Sequence, residues 1–250
     1  MSSLNQTLVA EWFKIKKSKI WYFVFVLMIA PVLYGVIIHH QIVIGKYHYN
    51  KENPWYMLIM MVQLFYGTIF LPVIVSVIVG TLINYEKNAN NWERVSLIPI
   101  KKYNFYVSKM IWTAIIILLT QLFMIATIIM YGLALNYGSY LPVKIFSSLF
   151  LLGTLGAISL GTLSFYIFLC IKSNRLSLII CIILSFPTFL ALSNPPGSWT
   201  PTLYPWTLPF FGMTQATTNT TTFIAFIIAC SLVLIIFSLL SIKRMKKYNL

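Results

Sequence analysis

The sequence consists of long apolar segments separated by short polar connections. A helix needs about 20 apolar residues to cross roughly 30 Å of hydrocarbon, and six segments reach or approach that length. The predicted spans cover residues 20–38, 55–83, 105–135, 144–171, 176–192 and 222–242. The second and third exceed what a span requires, so we expect tilt, a kink at Pro72, or ends that project beyond the bilayer. The fifth is the shortest and contains Pro187, which a regular helix disfavours.

Composition supports a membrane-embedded chain. Hydrophobic residues make up 59% of the 250 residues and charged residues 9%. So little polar surface cannot cover a water-soluble core of this size. The predicted fold class is therefore all-α integral membrane, with one transmembrane domain over residues 1–250.

The charges are strongly biased towards one side of the predicted topology. There are 18 Lys and Arg residues against 4 Asp and Glu, a net charge of +14. All but Lys46, Lys51 and Lys144 fall on the side that also holds both chain ends, so the positive-inside rule makes both termini cytoplasmic. The cations flank apolar ends in small groups and form no continuous groove, which argues against nucleic-acid binding.

Residues 3–17 precede the first span and predict an amphipathic interfacial helix. Its apolar arc holds Leu4, Leu8, Val9, Trp12 and Ile15, and its charged arc holds Glu11, Lys14 and Lys17. The basic arc is expected to meet anionic headgroups, with Trp12 anchored at headgroup depth. Periodicity leaves two interpretations open: a simple topology anchor, or a connecting helix on which a cytoplasmic partner rests.

The longest cytoplasmic connection, residues 84–104, predicts a helix of about two turns that ends at Pro99. A helix this short is unstable alone in water, and its Trp92 needs a surface to pack against. That surface is either the membrane or another protein. Three acidic residues lie close to this connection or to the interfacial helix and are candidates for partner recognition: Glu11, Glu86 and Glu93.

Two motifs resemble a known family. The pattern after the second span resembles the corresponding pattern of ABC-2-type permeases; here it reads Glu86, Trp92-Glu93-Arg94, Pro99, Lys101-Lys102 and Lys109. Residues 10–21, Ala-Glu-Trp-Phe-Lys-Ile-Lys-Lys-Ser-Lys-Ile-Trp, are similar to the opening of the lantibiotic-immunity branch of that family. With six predicted helices and cytoplasmic termini, the resemblance covers the whole chain.

The resemblance implies a permease subunit of an ATP-binding cassette exporter in the bacterial cell membrane, paired with a second copy or a sister permease. The sequence contains no phosphate-binding loop, so an ATPase subunit dimer would supply ATP and Mg, and this chain would bind no cofactor itself. The expected cargo is an amphipathic peptide, a lantibiotic-type bacteriocin whose export protects the producer. By resemblance, the ATPase-coupling residues are Glu86, Trp92, Glu93, Arg94 and Pro99. The connecting-helix residues are Glu11, Trp12, Lys14 and Lys17.

Small residues recur in the fourth span. Gly153, Ala157 and Gly161 are spaced by four and allow close helix approach; we favour packing within one subunit over a dimer seam. No charged residue lies centrally in any span, which argues against an ion-driven carrier and suits an amphipathic or lipid-associated cargo. Gln63 and Gln121 are expected to bond neighbouring helices.

The outer loop, residues 193–221, is rich in proline and carries no charge. Its aromatic residues Trp199, Tyr204 and Trp206 are placed at the outer mouth of a pathway, as in the re-entrant element of ABC-2 permeases. The alternative is a surface loop pinned to lipid. The first outer loop groups four potential ligands, His39, His40, His48 and Glu52, but their spacing matches no standard metal site, so no metal is predicted.

Three rival functions remain. The same architecture could export a cytolytic peptide, a peptide antibiotic or a lipid-linked molecule. A membrane-embedded enzyme such as a CAAX-type protease needs paired acids and histidines at membrane depth, which the sequence lacks. A polytopic sensor or scaffold without transport is the third.

Overall fold

A computed structural model describes residues 4–44, 54–87, 102–137, 141–195, 197–214 and 217–247. The regular structure of this described part is entirely helical, which confirms the all-α class. Its α-helices are α1 (Leu4–Lys16), α2 (Ile20–Ile44), α3 (Pro54–Phe65), α4 (Leu71–Lys87), α5 (Lys102–Ala134), α6 (Val143–Cys170), α7 (Asn174–Ser185), α8 (Leu208–Thr214) and α9 (Thr220–Lys247).

Within the described ranges, 5 helices are long and apolar enough to cross a membrane. They cover Ile20–Ile42, Pro54–Lys87, Lys102–Ala134, Val143–Cys170 and Thr220–Met245. The prediction of a multi-pass membrane protein is therefore confirmed, and five of the six predicted spans correspond to these helices.

The fifth predicted span, residues 176–192, is not one long helix. Its α-helical part, α7, has 12 residues, and the chain continues as a 3₁₀-helix over Phe186–Ser193. The change falls beside Pro187, whose missing N–H and bulky ring prevent the α-helical ladder from continuing regularly. The apolar pattern predicted one regular helix here, whereas the structure has an α-helix followed by a 3₁₀-helix.

The second span is irregular one turn before the predicted kink at Pro72. A π-helical turn, Tyr66–Phe70, joins α3 to α4 and makes them one continuous stretch of 34 residues. Pro72 lies inside the first turn of α4, and its ring would crowd the carbonyl four residues earlier in a regular helix. Widening that turn is one way to relieve the crowding. At 1.5 Å per residue the stretch is about 51 Å long, which requires tilt or projection.

The bundle is organised around α6, which contacts α4, α5, α8 and α9. Three apolar clusters fill the interior: a large one running through α2 to α6, one around Phe165 and Phe168, and one between α8 and α9. The span of α9 is only 11% buried and that of α2 33%, so these two helices lie at the periphery.

Charged segments gather at one end of the bundle. There α1 contacts α5, the Lys102 ammonium donates to the carbonyl of Met245 near the end of α9 at 3.3 Å, and the Asn174 amide at the start of α7 donates to Asn84. We call this the basic end. It is formed by α1, the ends of α4, α6 and α9, and the starts of α5 and α7.

Candidate functional site

The N-terminal helix α1 turns residues of both predicted arcs towards the protein. Its buried residues are Thr7, Glu11 and Ile15, whereas Phe13 is 61% exposed. The basic arc was expected to meet anionic headgroups, but Lys14 of that arc pairs with the carboxylates of Glu11 and Glu86. Glu11, on the same side of the helix, is buried. The cause is ion pairing with the two helices that α1 contacts: Glu86 on α4 pairs with Lys14, and Lys109 on α5 pairs with Glu11.

Four charged side chains form a closed cluster between α1, α4 and α5. The Lys109 ammonium donates to Glu11 Oε2 at 2.9 Å, to Glu86 Oε1 at 3.4 Å and to the carbonyl of Leu82 at 2.8 Å. The Lys14 ammonium donates to Glu11 Oε1 at 3.0 Å and to Glu86 Oε1 at 2.5 Å. We call Glu11, Lys14, Glu86 and Lys109 the ion cluster.

The ion cluster is electrically neutral and largely hidden from solvent. The side chains of Glu86 and Lys109 are each 1% exposed, and that of Lys14 is 34% exposed. Burial alone would lower the pKa of Lys14, but the carboxylates of Glu11 and Glu86 outweigh it and raise that pKa above its ordinary value. Removing one member of such a buried network strands its partners as uncompensated charges, so the cluster holds three helices in one arrangement.

Tryptophans reinforce the same junction. The Trp112 indole N–H donates to the carbonyl of Leu8 at 3.0 Å, and the Trp112 ring stacks on Trp12 with centroids 5.0 Å apart. The Trp21 indole N–H donates to the carbonyl of Ile15 at 3.2 Å. Trp12 therefore packs on the protein as well as facing outward. These tryptophans hold α1 to α5 near Leu8 and Trp12, and to α2 near Ile15.

The structure describes the two ends, 84–87 and 102–104, of the segment predicted to couple to an ATPase, residues 84–104. Lys87, at its start, donates to the carbonyls of Phe168 and Ile171 at 2.5 and 2.8 Å. Lys102, at its end, donates to Met245 as described above. Trp92, Glu93, Arg94 and Pro99 lie outside the described residues. Glu86 lies within them, and its buried carboxylate pairs with lysines of its own chain; neither it nor Glu11 is the isolated charge that the sequence indicated.

The small-residue stripe of α6 faces its own subunit. A Cβ added at Gly153 would lie 2.7 Å from the Met213 side chain, whereas at Gly161 the nearest atom is 3.5 Å away. Among the α6 glycines the tightest backbone contact is at Gly156, outside the predicted stripe, where a Cβ would lie 2.5 Å from the carbonyl oxygen of Leu208. Ala157 is fully buried beside it.

Much of the outer segment is packed into the bundle. Helix α8 is buried from Leu208 to Met213. Trp206 is buried and stacks on Tyr204, whose hydroxyl donates to the carbonyl of Leu184, while Trp199 is 48% exposed. The alternative of a loop lying only on the surface therefore does not describe α8.

Most buried polar residues of the bundle are serines and threonines, and two are glutamines. The Gln63 amide donates to the carbonyl of Met213 at 3.3 Å, and the buried Gln121 amide lies beside Gly153. Near the other end, the Tyr137 hydroxyl is hydrogen-bonded to His39 Nε2 at 3.1 Å. The Tyr131 hydroxyl is hydrogen-bonded to His40 Nδ1 at 3.3 Å. Across the described ranges no three potential ligands are close enough to hold a metal; His48 and Glu52 lie outside those ranges.

The fold defines a polytopic helical membrane protein whose charged end joins the N-terminal helix α1 to its second and third spans. A model of the ABC-2 family transporter proteins matches residues 7–188, and the chain belongs to this family. Its members are membrane components of transporters, not enzymes themselves, and normally work with an ATPase subunit. The comparisons with curated proteins and with solved structures give no match.

The sequence identified three members of the ion cluster but not their association. Glu11, Lys14 and Glu86 were singled out for partner contacts, and Lys109 entered only as part of a motif. A signal was present: Lys109 is the eighth residue of a long, mainly apolar helix, and a buried lysine needs a carboxylate.

Proposed function

We propose that this chain is the permease subunit of an ATP-driven exporter that removes an amphipathic peptide, of the lantibiotic type, from a bacterial cell membrane. The family match supports the transporter class. The observation that carries the mechanism is the ion cluster, because it joins α1 to both helices that flank the segment 88–101.

The proposed mechanism is a rigid-body coupling. A separate ATPase dimer seats against segment 88–101, with Trp92, Glu93 and Arg94 as the contact residues and Pro99 ending the short helix. Closure of the ATPase pair on ATP displaces the ends of α4 and α5. Because the ion cluster ties α1 to those ends, the three helices move together. Glu11, Lys14 and Glu86 act here as positioning residues.

We further propose six crossings with both termini in the cytoplasm. The end of α6 and the end of α9 share the basic end, so the chain must return across the bundle between them. Helix α7 supplies about 18 Å of that path, and the 8-residue 3₁₀-helix adds about 16 Å. Together they match a hydrocarbon core of roughly 30 Å. The excess of cations at the basic end favours the cytoplasm there.

The outer segment is proposed to close the pathway at the opposite end. Helix α8 packs against α6 through Gly156 and Gly212, with Tyr204 and Trp206 above it. An amphipathic peptide would leave past these aromatic rings. The cargo class rests on the motif at residues 10–21; a cytolytic peptide or a lipid-linked molecule would fit the same fold.

Copurification tests the ATPase contact. We expect the tagged chain, extracted from its native membrane, to bring down an ATPase subunit, and Trp92→Ala to lose it. Trp199→Ala is the matched control, since it removes an exposed tryptophan from the outer segment and should retain the ATPase. If the Trp92→Ala protein reaches the membrane and keeps the ATPase, the coupling assignment is wrong.

Resistance tests the cargo. Cells that express the chain with its ATPase should tolerate a higher concentration of a lantibiotic-type peptide than cells with an ATPase that cannot hydrolyse ATP. If tolerance to lantibiotics is unchanged but tolerance to another membrane-active peptide rises, that peptide is the cargo and the lantibiotic assignment is wrong. Unchanged tolerance to every peptide tested would contradict peptide export as the function.

A further inference from the structure

The turn between α1 and α2 holds two lysines, Lys17 and Lys19, one on either side of Ser18. Ser18 is buried in this turn, and its hydroxyl accepts the Ile20 amide at 3.0 Å, which fixes the geometry. Lys17 and Lys19 on either side are exposed. Among the described residues neither forms an ion pair, because the described glutamates, Glu11 and Glu86, are both bound in the ion cluster. The turn therefore presents two exposed cations that have no ion-pair partner in the described part of the chain.

A cavity of about 520 Å³ opens between this turn and the last turns of α4. Lys17 and Lys19 line one part of it, and Asn84 and Tyr85 of α4 add neutral hydrogen-bonding groups. The hydrogen-bonding chemistry of these four side chains suits a phosphate: ammonium groups supply charge, while an amide and a hydroxyl supply directed donors.

The cavity also has an apolar wall. Phe23 lines it, follows Lys19 by one helical turn, and is 61% exposed on a helix that spans the membrane. Ile20 and Thr81 complete this wall. Phe23 therefore lies about 6 Å further along the α2 axis than Lys19. The cationic part comes first and the apolar part second, which is the order of a lipid headgroup and its acyl chains.

We propose that this cavity binds one anionic phospholipid of the leaflet at the basic end. The phosphate lies between Lys17 and Lys19, and the upper part of an acyl chain lies along Phe23. A neighbouring cavity, also of about 520 Å³ and sharing Asn84, holds Lys87, Lys172 and Arg175. It extends the positive potential but lacks an apolar wall, so the lipid is assigned to the first cavity.

Native mass spectrometry of the full-length protein with dioleoylphosphatidylglycerol tests this assignment. We expect a bound lipid whose affinity falls about tenfold or more in Lys17→Gln/Lys19→Gln, since two cations near the headgroup are lost. The matched control, Lys16→Gln/Lys243→Gln, removes the same charge from exposed positions at the same end and should stay within about twofold. Neither the double variants nor the parent protein should bind dioleoylphosphatidylcholine tightly, because that lipid carries no net charge.

Two results would overturn the proposal. Equal weakening in both double variants would mean diffuse surface attraction without a site. Competition by glycerophosphoglycerol, the headgroup without chains, at the same concentration as the lipid would mean a site for soluble anions, such as nucleotide phosphates. Because neither readout involves transport or ATPase binding, failure here is separable from failure of the proposed function.

Discussion

At the scale of single residues, the ion cluster decides the arrangement of the basic end. The sequence pattern predicted which residues of α1 are charged and assigned the basic arc to anionic headgroups, because periodicity describes a helix without its neighbours. Glu86 on α4 and Lys109 on α5 are those neighbours: Lys14 pairs with Glu86, and Glu11 pairs with the buried Lys109, which needs a carboxylate. No pattern within α1 contains that information.

Lys109→Met is expected to destabilise the protein by about 3–5 kcal/mol, because it strands Glu11 and Glu86 as buried charges. Thermal unfolding in detergent measures this change. Lys16→Met is the control: Lys16 is exposed on α1 outside the cluster, so its unfolding temperature should stay close to that of the parent. Equal unfolding temperatures for Lys109→Met and the parent would contradict the assigned role of the cluster.

The raised pKa of Lys14 predicts an alkaline limit to the cluster. A lysine whose pKa is higher folded than unfolded stabilises the fold fully below its unfolded pKa, about 10.4, and loses that contribution as pH rises through its folded pKa. The stability difference between the parent and Lys14→Met should therefore be constant from pH 7 to about pH 10 and shrink above it. A difference that shrinks already between pH 7 and 9 would show that the carboxylates do not hold this proton.

At the scale of elements, proline and glycine mark where the sequence pattern and the structure diverge. Pro187 ends the α-helical part of α7, and Pro72 accompanies the π-turn before α4. The small-residue pattern located the close approach on α6 but not its exact positions. The tightest backbone contacts are at Gly156 and Gly212, because the partner is the short helix α8, which hydrophobicity alone does not distinguish from a loop.

The α6–α8 contact gives a sharp comparison of glycines. An added Cβ would meet a backbone carbonyl at 2.5 Å at Gly156, and its nearest neighbour at Gly161 is a side-chain methyl at 3.5 Å. Gly156→Ala should therefore cost roughly 1–3 kcal/mol through displacement of α8, while Gly161→Ala on the same helix should be nearly neutral. Chemical unfolding of both variants in detergent measures the difference, and equal stability would mean that α8 does not pack there as described.

At the scale of the whole molecule, the sequence predicted most of the architecture. Membrane spans were found because lipid imposes long apolar runs, and the ABC-2 family was found from motifs at the basic end. Burial depth was not predictable. The second span is 67% buried and the last only 11%, although the last has the higher hydropathy. Apolar composition satisfies lipid and protein neighbours equally, so it does not reveal which helices are central.

The central claim is that segment 88–101 lies in the cytoplasm and contacts an ATPase. A single cysteine in place of Arg94, in a chain whose three native cysteines are replaced, reports this through a membrane-impermeant maleimide. Thr200→Cys, in the exposed part of the outer segment, is the control. We predict that the cysteine at position 94 is labelled in inverted vesicles and that bound ATPase protects it from labelling. In intact cells we predict the opposite pattern: the cysteine at position 200 is labelled and the one at position 94 is not. Labelling of position 94 in intact cells would contradict the account.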